Sequence, residues 1–129
     1  MKIAIATEDF QTVAGHAGKA RDWLVCDCEP GRPPQPLPLT LPKELVFHHW
    51  QDDGSLAGHP LEGIELIVAR SAGDSFLSRM QKRGIDVLLT GETDPQKALA
   101  GILAGEALPD PRWEVSRLLC KLRDAFHGH

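Results

Sequence analysis

The N-terminal stretch MKIAIATEDFQTVAGHAGKA, residues 1–20, decides how the rest of the chain is interpreted. In a strand over residues 2–7, isoleucine alternates with alanine, so both faces of the strand are apolar. Such a strand needs neighbours on both sides and cover on both faces, which places it in the middle of a sheet. The loop that follows carries one histidine, His16, between Gly15 and Gly18. We predict a central strand that leads into a functional loop.

The composition restricts the class of protein. The chain has 129 residues, of which 42% are hydrophobic and 25% charged, as in one folded domain. Its net charge of −4 and its 5% of aromatic residues disfavour nucleic-acid binding through phosphates or stacked bases. No apolar run approaches the roughly 20 residues of a membrane span, and acidic residues interrupt the first run before a signal peptide is complete. We expect a single cytoplasmic domain over residues 1–129, monomeric or dimeric, with no nucleic-acid or membrane partner.

The remaining sequence predicts an α/β chain with five strands. These strands cover residues 2–7, 22–28, 44–50, 64–69 and 86–90. Residues 29–42, EPGRPPQPLPLTLP, contain six prolines, and we interpret them as an exposed loop because proline lacks a backbone donor. Helices are predicted after Asp74, which would serve as an N-cap, and after the Asp94–Pro95 pair. A third, amphipathic helix is predicted over residues 110–127.

The connections between the strands predict their order. Short links make the second strand an antiparallel neighbour of the first and the third. The fourth strand then pairs with the free side of the first, and the fifth follows through a right-handed crossover. The predicted sheet is mixed and five-stranded, of order 3-2-1-4-5, with strand 2 antiparallel. The carboxyl ends of strands 1, 3, 4 and 5 share one edge, which is where ligands bind in open α/β sheets.

That edge would bring together three histidines and one helix-opening turn. His16 has small neighbours and an imidazole suited to iron, zinc, nickel or copper. His48 and His49 are further candidate metal ligands, although a regular strand would point them to opposite faces. The turn after strand 4, with Ser71 and Gly73, offers backbone N–H groups to an anion. Exposed or core histidines and a plain helix cap are the structural alternatives.

The cysteines are expected at the opposite edge of the sheet. Cys26, Cys28 and Cys120 cannot close a disulfide framework, and the Cys-x-Cys pair lacks the second pair of a four-ligand zinc site. Strand alternation places Cys26 and Cys28 on the same face as Leu24. We interpret both as free thiols, and at least Cys26 as a core residue.

The sequence MKIAIAT, together with the segment His16-Ala17-Gly18-Lys19-Ala20, resembles the dinitrogenase iron–molybdenum cofactor biosynthesis family. Members of that family are similar to NifX, NafY and the C-terminal domain of NifB. Residues 66–87 also resemble it, so the match covers roughly residues 1–105. The chain departs from the pattern in two places. Ala17 stands where an aromatic residue is usual, and residues 70–73 replace a glycine-rich run around isoleucine.

The resemblance implies a ribonuclease H-like three-layer fold with residues 1–105 as a carrier-like core. It also implies a non-enzymatic protein of nitrogen fixation. Such a protein would bind an iron–sulfur cluster or an iron–molybdenum cofactor precursor and pass it between nitrogenase cofactor assembly proteins. His16 is then the candidate cluster ligand, and the remaining cofactor-binding candidates are Gly15, Gly18, Ser71 and Gly73.

Two other functions stay open on the sequence alone. The sheet edge or the C-terminal helix could bind another protein of metallocluster assembly, as an interaction or regulatory module without a cluster. The turn over residues 71–74 could instead serve a small-anion-binding enzyme, although no general base accompanies it.

Overall fold

The computed structural model describes residues 1–50, 56–106 and 108–109, and the backbone of residues 112–113. Within these residues the α/β class and the mixed sheet are confirmed. The strands are β1 (Lys2–Glu8), β2 (Thr12–Val13), β3 (Asp22–Asp27), β4 (Leu37–Thr40), β5 (Leu66–Ala69), β6 (Asp86–Leu89) and β7 (Arg112–Trp113). The helices are α1 (Asp74–Lys82) and α2 (Pro95–Ala104), and short 3-10 turns cover Ala17–Lys19 and Lys43–Leu45.

The strands of the described residues form one sheet of order β4-β3-β1-β5-β6-β7, and β2 pairs with β1 as a hairpin. β3 is antiparallel to β1, whereas β5 is parallel to β1 and β6 is parallel to β5. β1 therefore has neighbours on both sides, in keeping with its two apolar faces. Its carboxyl end lies next to the start of the loop that carries His16.

The alternation along β1 divides the core between the two faces of the sheet. Ala4 and Ala6 belong to a buried cluster that includes the apolar side of α1, with Phe76. Ile3 and Ile5 belong to a second cluster that includes the apolar side of α2. Small alanines on the first face leave room for bulky aromatic side chains from the loops. Among the described residues, one helix covers each face of the sheet, and each begins beyond the carboxyl end of a parallel strand.

The predicted strand over residues 44–50 is wrong. Residues 43–45 form a 3-10 turn, and further turns follow up to Trp50. The edge strand is instead β4, inside the proline-rich segment that we expected to be a loop. Pro38 pairs in register with Leu24 at this edge, where a missing N–H costs no ladder hydrogen bond if it faces away from the sheet. Phe47 enters the core from the turn, fully buried against Trp23 and other rings.

The C-terminal prediction is also corrected in part. Arg112 and Trp113 pair antiparallel with Leu89 and Leu88 of β6, so these two residues are strand and not the first turn of a helix. The rest of the helix predicted over residues 110–127 lies outside the described residues. None of the described helices is long and apolar enough to cross a membrane.

Candidate functional site

The loop that carries His16 is held in place by backbone hydrogen bonds from several directions. The N–H of Ala14 donates to the carbonyl oxygen of Ala6 at 2.7 Å, which ties the loop to β1. The N–H of Arg70 donates to Ala14 O at 2.9 Å, and the N–H of Ala17 donates to Ser71 O at 3.1 Å. These bonds fix the loop between β1 and the segment after β5. His16 itself is exposed at the start of the short 3-10 turn.

Gly15 lets Arg70 pack closely against this loop. A Cβ atom on Gly15 would lie 3.2 Å from the Arg70 Nη2 atom, which is tighter than ordinary contact. Arg70 also donates from Nε to Val13 O at 2.9 Å. The Ser71 hydroxyl donates to the carbonyl oxygen of Gly15. The predicted residues Gly15 and Ser71 therefore meet, and they stabilise the loop on which His16 stands.

Gly18 lies where the His16 ring, helix α1 and the turn over residues 46–50 meet. A Cβ atom on Gly18 would lie 3.7 Å from His16 Cε1 and 3.6 Å from Phe76 Cδ2. The N–H of His48 donates to the carbonyl oxygen of Gly18 at 2.7 Å. A long side chain at this position would therefore push against the imidazole or against the core.

An open cavity of about 440 Å³ lies beside His16, at the carboxyl end of β1. Its lining carries both signs of charge. The cations are Lys19 and Arg21, and the carboxylates are Glu8, Asp9 and Asp22. Such a lining suits a polar or partly charged ligand better than an apolar one. An apolar ligand would displace water from the charged side chains without replacing its hydrogen bonds.

His48 and His49 lie on a turn and not on a strand, so the argument that a strand would separate them no longer applies. Both side chains are exposed, and their ring centroids are 5.2 Å apart. Arg79 of α1 holds the turn from below: Nη1 donates to Phe47 O at 2.8 Å and Nη2 donates to Trp50 O at 2.9 Å. The turn is thereby fixed next to the His16 loop.

The turn before α1 differs from its prediction. The N-cap is Gly73, and Asp74 is the first helical residue, so the expected Asp74 cap is wrong. As a glycine, the N-cap residue makes no side-chain capping bond, and a Cβ on Gly73 would meet nothing within 4 Å. Gly73 therefore borders open space, whereas the Ser71 hydroxyl already donates a hydrogen bond to Gly15 O.

No group of three or more His, Cys, Asp or Glu side chains has the geometry of a metal site within the described part of the chain. His16, His48 and His49 thus share an edge without forming a preassembled site for one ion. Cys26 and Cys28 lie at the other end of β1, where Cys26 pairs with Ile3. Their predicted separation from the histidines agrees with this register.

Two features of this edge have no signal in the local sequence. Arg79 bonds to carbonyls 32 and 29 residues away, and no local pattern marks such a partner. His59 lies in a polar stretch of the sequence, yet it is buried and stacks on Phe47 with ring centroids 5.0 Å apart. Its Nδ1 accepts from Leu61 N–H at 3.0 Å, so Nε2 carries the proton and donates to Leu45 O at 2.8 Å. Burial lowers the pKa of His59.

Comparison with known proteins gives the family. A family model described as "Dinitrogenase iron-molybdenum cofactor" matches residues 1–105. The chain belongs to this dinitrogenase iron–molybdenum cofactor family. The matched region contains the His16 loop, the turn with His48 and His49, and both helices.

Two solved structures share the fold of this family member. The crystal structure of PH0822 is 19% identical, with a TM-score of 0.64 over 85% of this chain and 95% of that chain. The NMR structure of "a putative NifB protein from Thermotoga", which belongs to the DUF35 family, is 16% identical. It has a TM-score of 0.60 over 84% of this chain and 91% of that chain. Comparison with curated proteins gives no significant match.

Proposed function

We propose that this chain is a non-enzymatic carrier of an iron–sulfur cluster or iron–molybdenum cofactor precursor, with His16 as a cargo ligand. The observation that carries the proposal is the exposed imidazole of His16, on a loop fixed at Ala14 and Ala17, beside an open cavity of about 440 Å³. Membership of the dinitrogenase iron–molybdenum cofactor family supports this cargo and a role in nitrogenase cofactor assembly.

The small number of ligands suits a carrier. Resident iron–sulfur clusters are typically held by four thiolates, and such a grip would oppose release to a partner. A neutral imidazole is a good ligand for iron and supplies a single bond. In the described residues the two cysteines are buried at the other end of the sheet and are not available to this cargo.

His48 and His49 supply a second contact in this proposal. A single ion needs all its ligands within bonding distance of one point, and the described side chains do not offer that. A polynuclear cluster is several bond lengths wide, so ligands on two neighbouring loops can bind different metal atoms of it. The hydrogen bond from His48 N–H to Gly18 O holds these two loops side by side.

The remaining predicted residues act through the backbone. Gly15 and Ser71 stabilise the loop below His16. Gly18 and Gly73 keep side-chain atoms away from the His16 ring and from the open space before α1. The ribonuclease H-like classification and a cytoplasmic location with nitrogenase assembly partners belong to the same proposal. They are supported by the family and by a mixed sheet with one helix on each face.

An anaerobic titration tests the proposal. Wild type, His16→Ala and the double variant His48→Ala/His49→Ala are mixed with isolated iron–molybdenum cofactor or a synthetic iron–sulfur cluster, and absorption and electron paramagnetic resonance spectra are recorded. Wild type is expected to alter the spectra of the cluster at one equivalent. His16→Ala should abolish the change, and the double variant should weaken it. Lys97→Ala, an exposed position on α2, is the matched control and should behave as wild type.

Two results would decide against the proposal. If wild type leaves the spectra unchanged, the chain is not a carrier of these clusters. If wild type and His16→Ala bind equally, His16 is not the ligand. A partner captured equally by wild type and His16→Ala, in the absence of cluster binding, would favour the interaction-module alternative.

A further inference from the structure

Cys26 and Cys28 form a close pair of thiols far from the His16 loop. Their Sγ atoms are 2.9 Å apart, and the two side chains are only 1% and 2% exposed. Cys26 lies near the end of β3 and Cys28 directly after it, so alternation turns both side chains to the same face of the sheet. A disulfide bond is about 2.05 Å long, so the two sulfurs need to approach by less than about 1 Å to reach it.

The backbone holds this pair in register. Cys26 is part of the β1–β3 ladder opposite Ile3. The N–H of Cys28 donates to Met1 O at 2.6 Å, and the N-terminal ammonium group donates to Cys28 O at 2.8 Å. The backbone on which both thiols stand is therefore held by main-chain bonds.

We infer that Cys26 and Cys28 are a dithiol that closes reversibly to an intrachain disulfide when it meets a low-molecular-weight disulfide. One cysteine thiolate attacks the external disulfide RSSR, releases one RSH after proton uptake, and forms a mixed disulfide. The second cysteine then attacks its neighbour's sulfur and displaces the second RSH. Two cysteine thiols are oxidised and one RSSR is reduced to two RSH, which carry both protons away.

Burial controls the rate of this reaction. Desolvation, and the neighbouring sulfur of Cys26, raise the pKa of Cys28 to about 12, so the reactive thiolate is scarce near neutral pH. A run of exposed residues, 29–35, follows the pair directly. Local opening at this end of β3 would expose Cys28 first. We therefore expect slow closure in the folded chain and faster closure when low urea concentrations promote opening.

The test uses the full chain with Cys120→Ser, so that any intrachain disulfide must join Cys26 and Cys28. The protein is equilibrated with mixtures of oxidised and reduced glutathione, quenched with acid, and weighed by mass spectrometry before and after alkylation in denaturant. The expected product is lighter by two hydrogen atoms and takes up no alkylating reagent. Reduction with dithiothreitol should restore both alkylation sites. Cys26→Ser/Cys120→Ser is the matched control, and it should show one free thiol or one glutathione adduct.

The inference is overturned if the folded chain keeps two alkylatable thiols in a mixture that closes the same pair in urea-unfolded protein. It is also overturned if each cysteine takes up its own glutathione. If the Cys120→Ser substitution disturbs folding, peptide mapping of oxidised wild type shows instead whether a disulfide joins Cys26 and Cys28. Neither outcome bears on cargo binding at His16, because the pair lies at the opposite end of β1.

Discussion

The backbone N–H of His48 donates a 2.7 Å hydrogen bond to the carbonyl oxygen of Gly18. This bond joins two loops that are thirty residues apart in the sequence and that carry all three candidate histidines of the edge. The sequence gives no hint of it, because it is made by main-chain atoms. It holds the backbones of the two loops that carry these histidines side by side.

Gly18 is the first position where this arrangement can be tested. We expect Gly18→Ala to fold normally, because its Cβ would make ordinary contacts of 3.6 Å to Phe76 and 3.7 Å to His16. Gly18→Leu should lower the free energy of unfolding by about 1–3 kcal/mol, because extra atoms overpack the site. Urea unfolding measures the stability, and NMR shifts of the His16 ring report its displacement. Equal stability and unchanged His16 shifts in Gly18→Leu would contradict the observed packing.

Arg79 should determine the stability of the His48–His49 turn. Its guanidinium group donates to Phe47 O and Trp50 O, and hydrogen bonds from a charged group each contribute about 1.5–3 kcal/mol. We expect Arg79→Ala to lower the free energy of unfolding by about 2 kcal/mol or more, as measured in urea. Arg79→Lys should recover only part of this loss, because an ammonium group cannot present the same planar fork of donors.

Lys82→Ala is the control for Arg79, since Lys82 is an exposed cation on the same helix. It should change stability by no more than about 0.5 kcal/mol. If Arg79→Ala lowers the free energy of unfolding no more than Lys82→Ala does, the two hydrogen bonds to carbonyl oxygens do not stabilise the turn.

His59 should make the stability of the fold depend on pH. Its folded-state pKa lies below the ordinary value of 6.5, chiefly because burial disfavours the charged ring. In the unfolded chain the ring takes up a proton near that ordinary value, while the folded chain keeps it neutral to lower pH. The unfolded state then binds more protons below pH 6.5. The contribution of His59 to the free energy of unfolding is therefore fully present above pH 6.5 and falls as the pH drops below it.

Urea unfolding at a series of pH values from about 7.5 to 5 measures this dependence. His59→Gln should be less stable than wild type at pH 7.5, because it loses the stacking on Phe47. It should also show a shallower decline of stability on acidification. His49→Gln changes an exposed histidine and serves as the matched control. The assignment to His59 is wrong if both variants flatten the decline equally.

The sequence predicted the parts of the fold that depend on local patterns. Phe76, Leu77 and Met80 have the spacing of one helix face and are buried on α1. Gly84, a residue type typical of a helix C-terminus, has a positive φ of 71°. Leu24, Cys26 and Cys28 share one face of β3, because alternation in a strand is a strict geometric rule.

The misinterpreted segment shows where such patterns fail. Residues 44–50 have the alternation of a strand, but Phe47 reaches the aromatic core from a turn that Arg79 holds by tertiary bonds. The edge strand β4 could not be predicted from its sequence, because a proline such as Pro38 normally argues against a strand. An edge strand tolerates proline. His16 could be selected from its loop and its family resemblance. Its proximity to His48 depends on contacts that no local pattern encodes.

Asp94 gives a prediction about the start of α2 that is independent of the site. Its carboxylate accepts hydrogen bonds from Gln96 N–H at 2.9 Å and Lys97 N–H at 3.4 Å, and Pro95 opens the helix. Asp94→Ala should lower the free energy of unfolding by about 1 kcal/mol, since alanine leaves these donors without a side-chain acceptor. Asp94→Asn keeps an acceptor oxygen and should stay close to wild type in urea unfolding. An equal loss in both variants would mean that the carboxylate charge, and not the capping bond, stabilises this helix end.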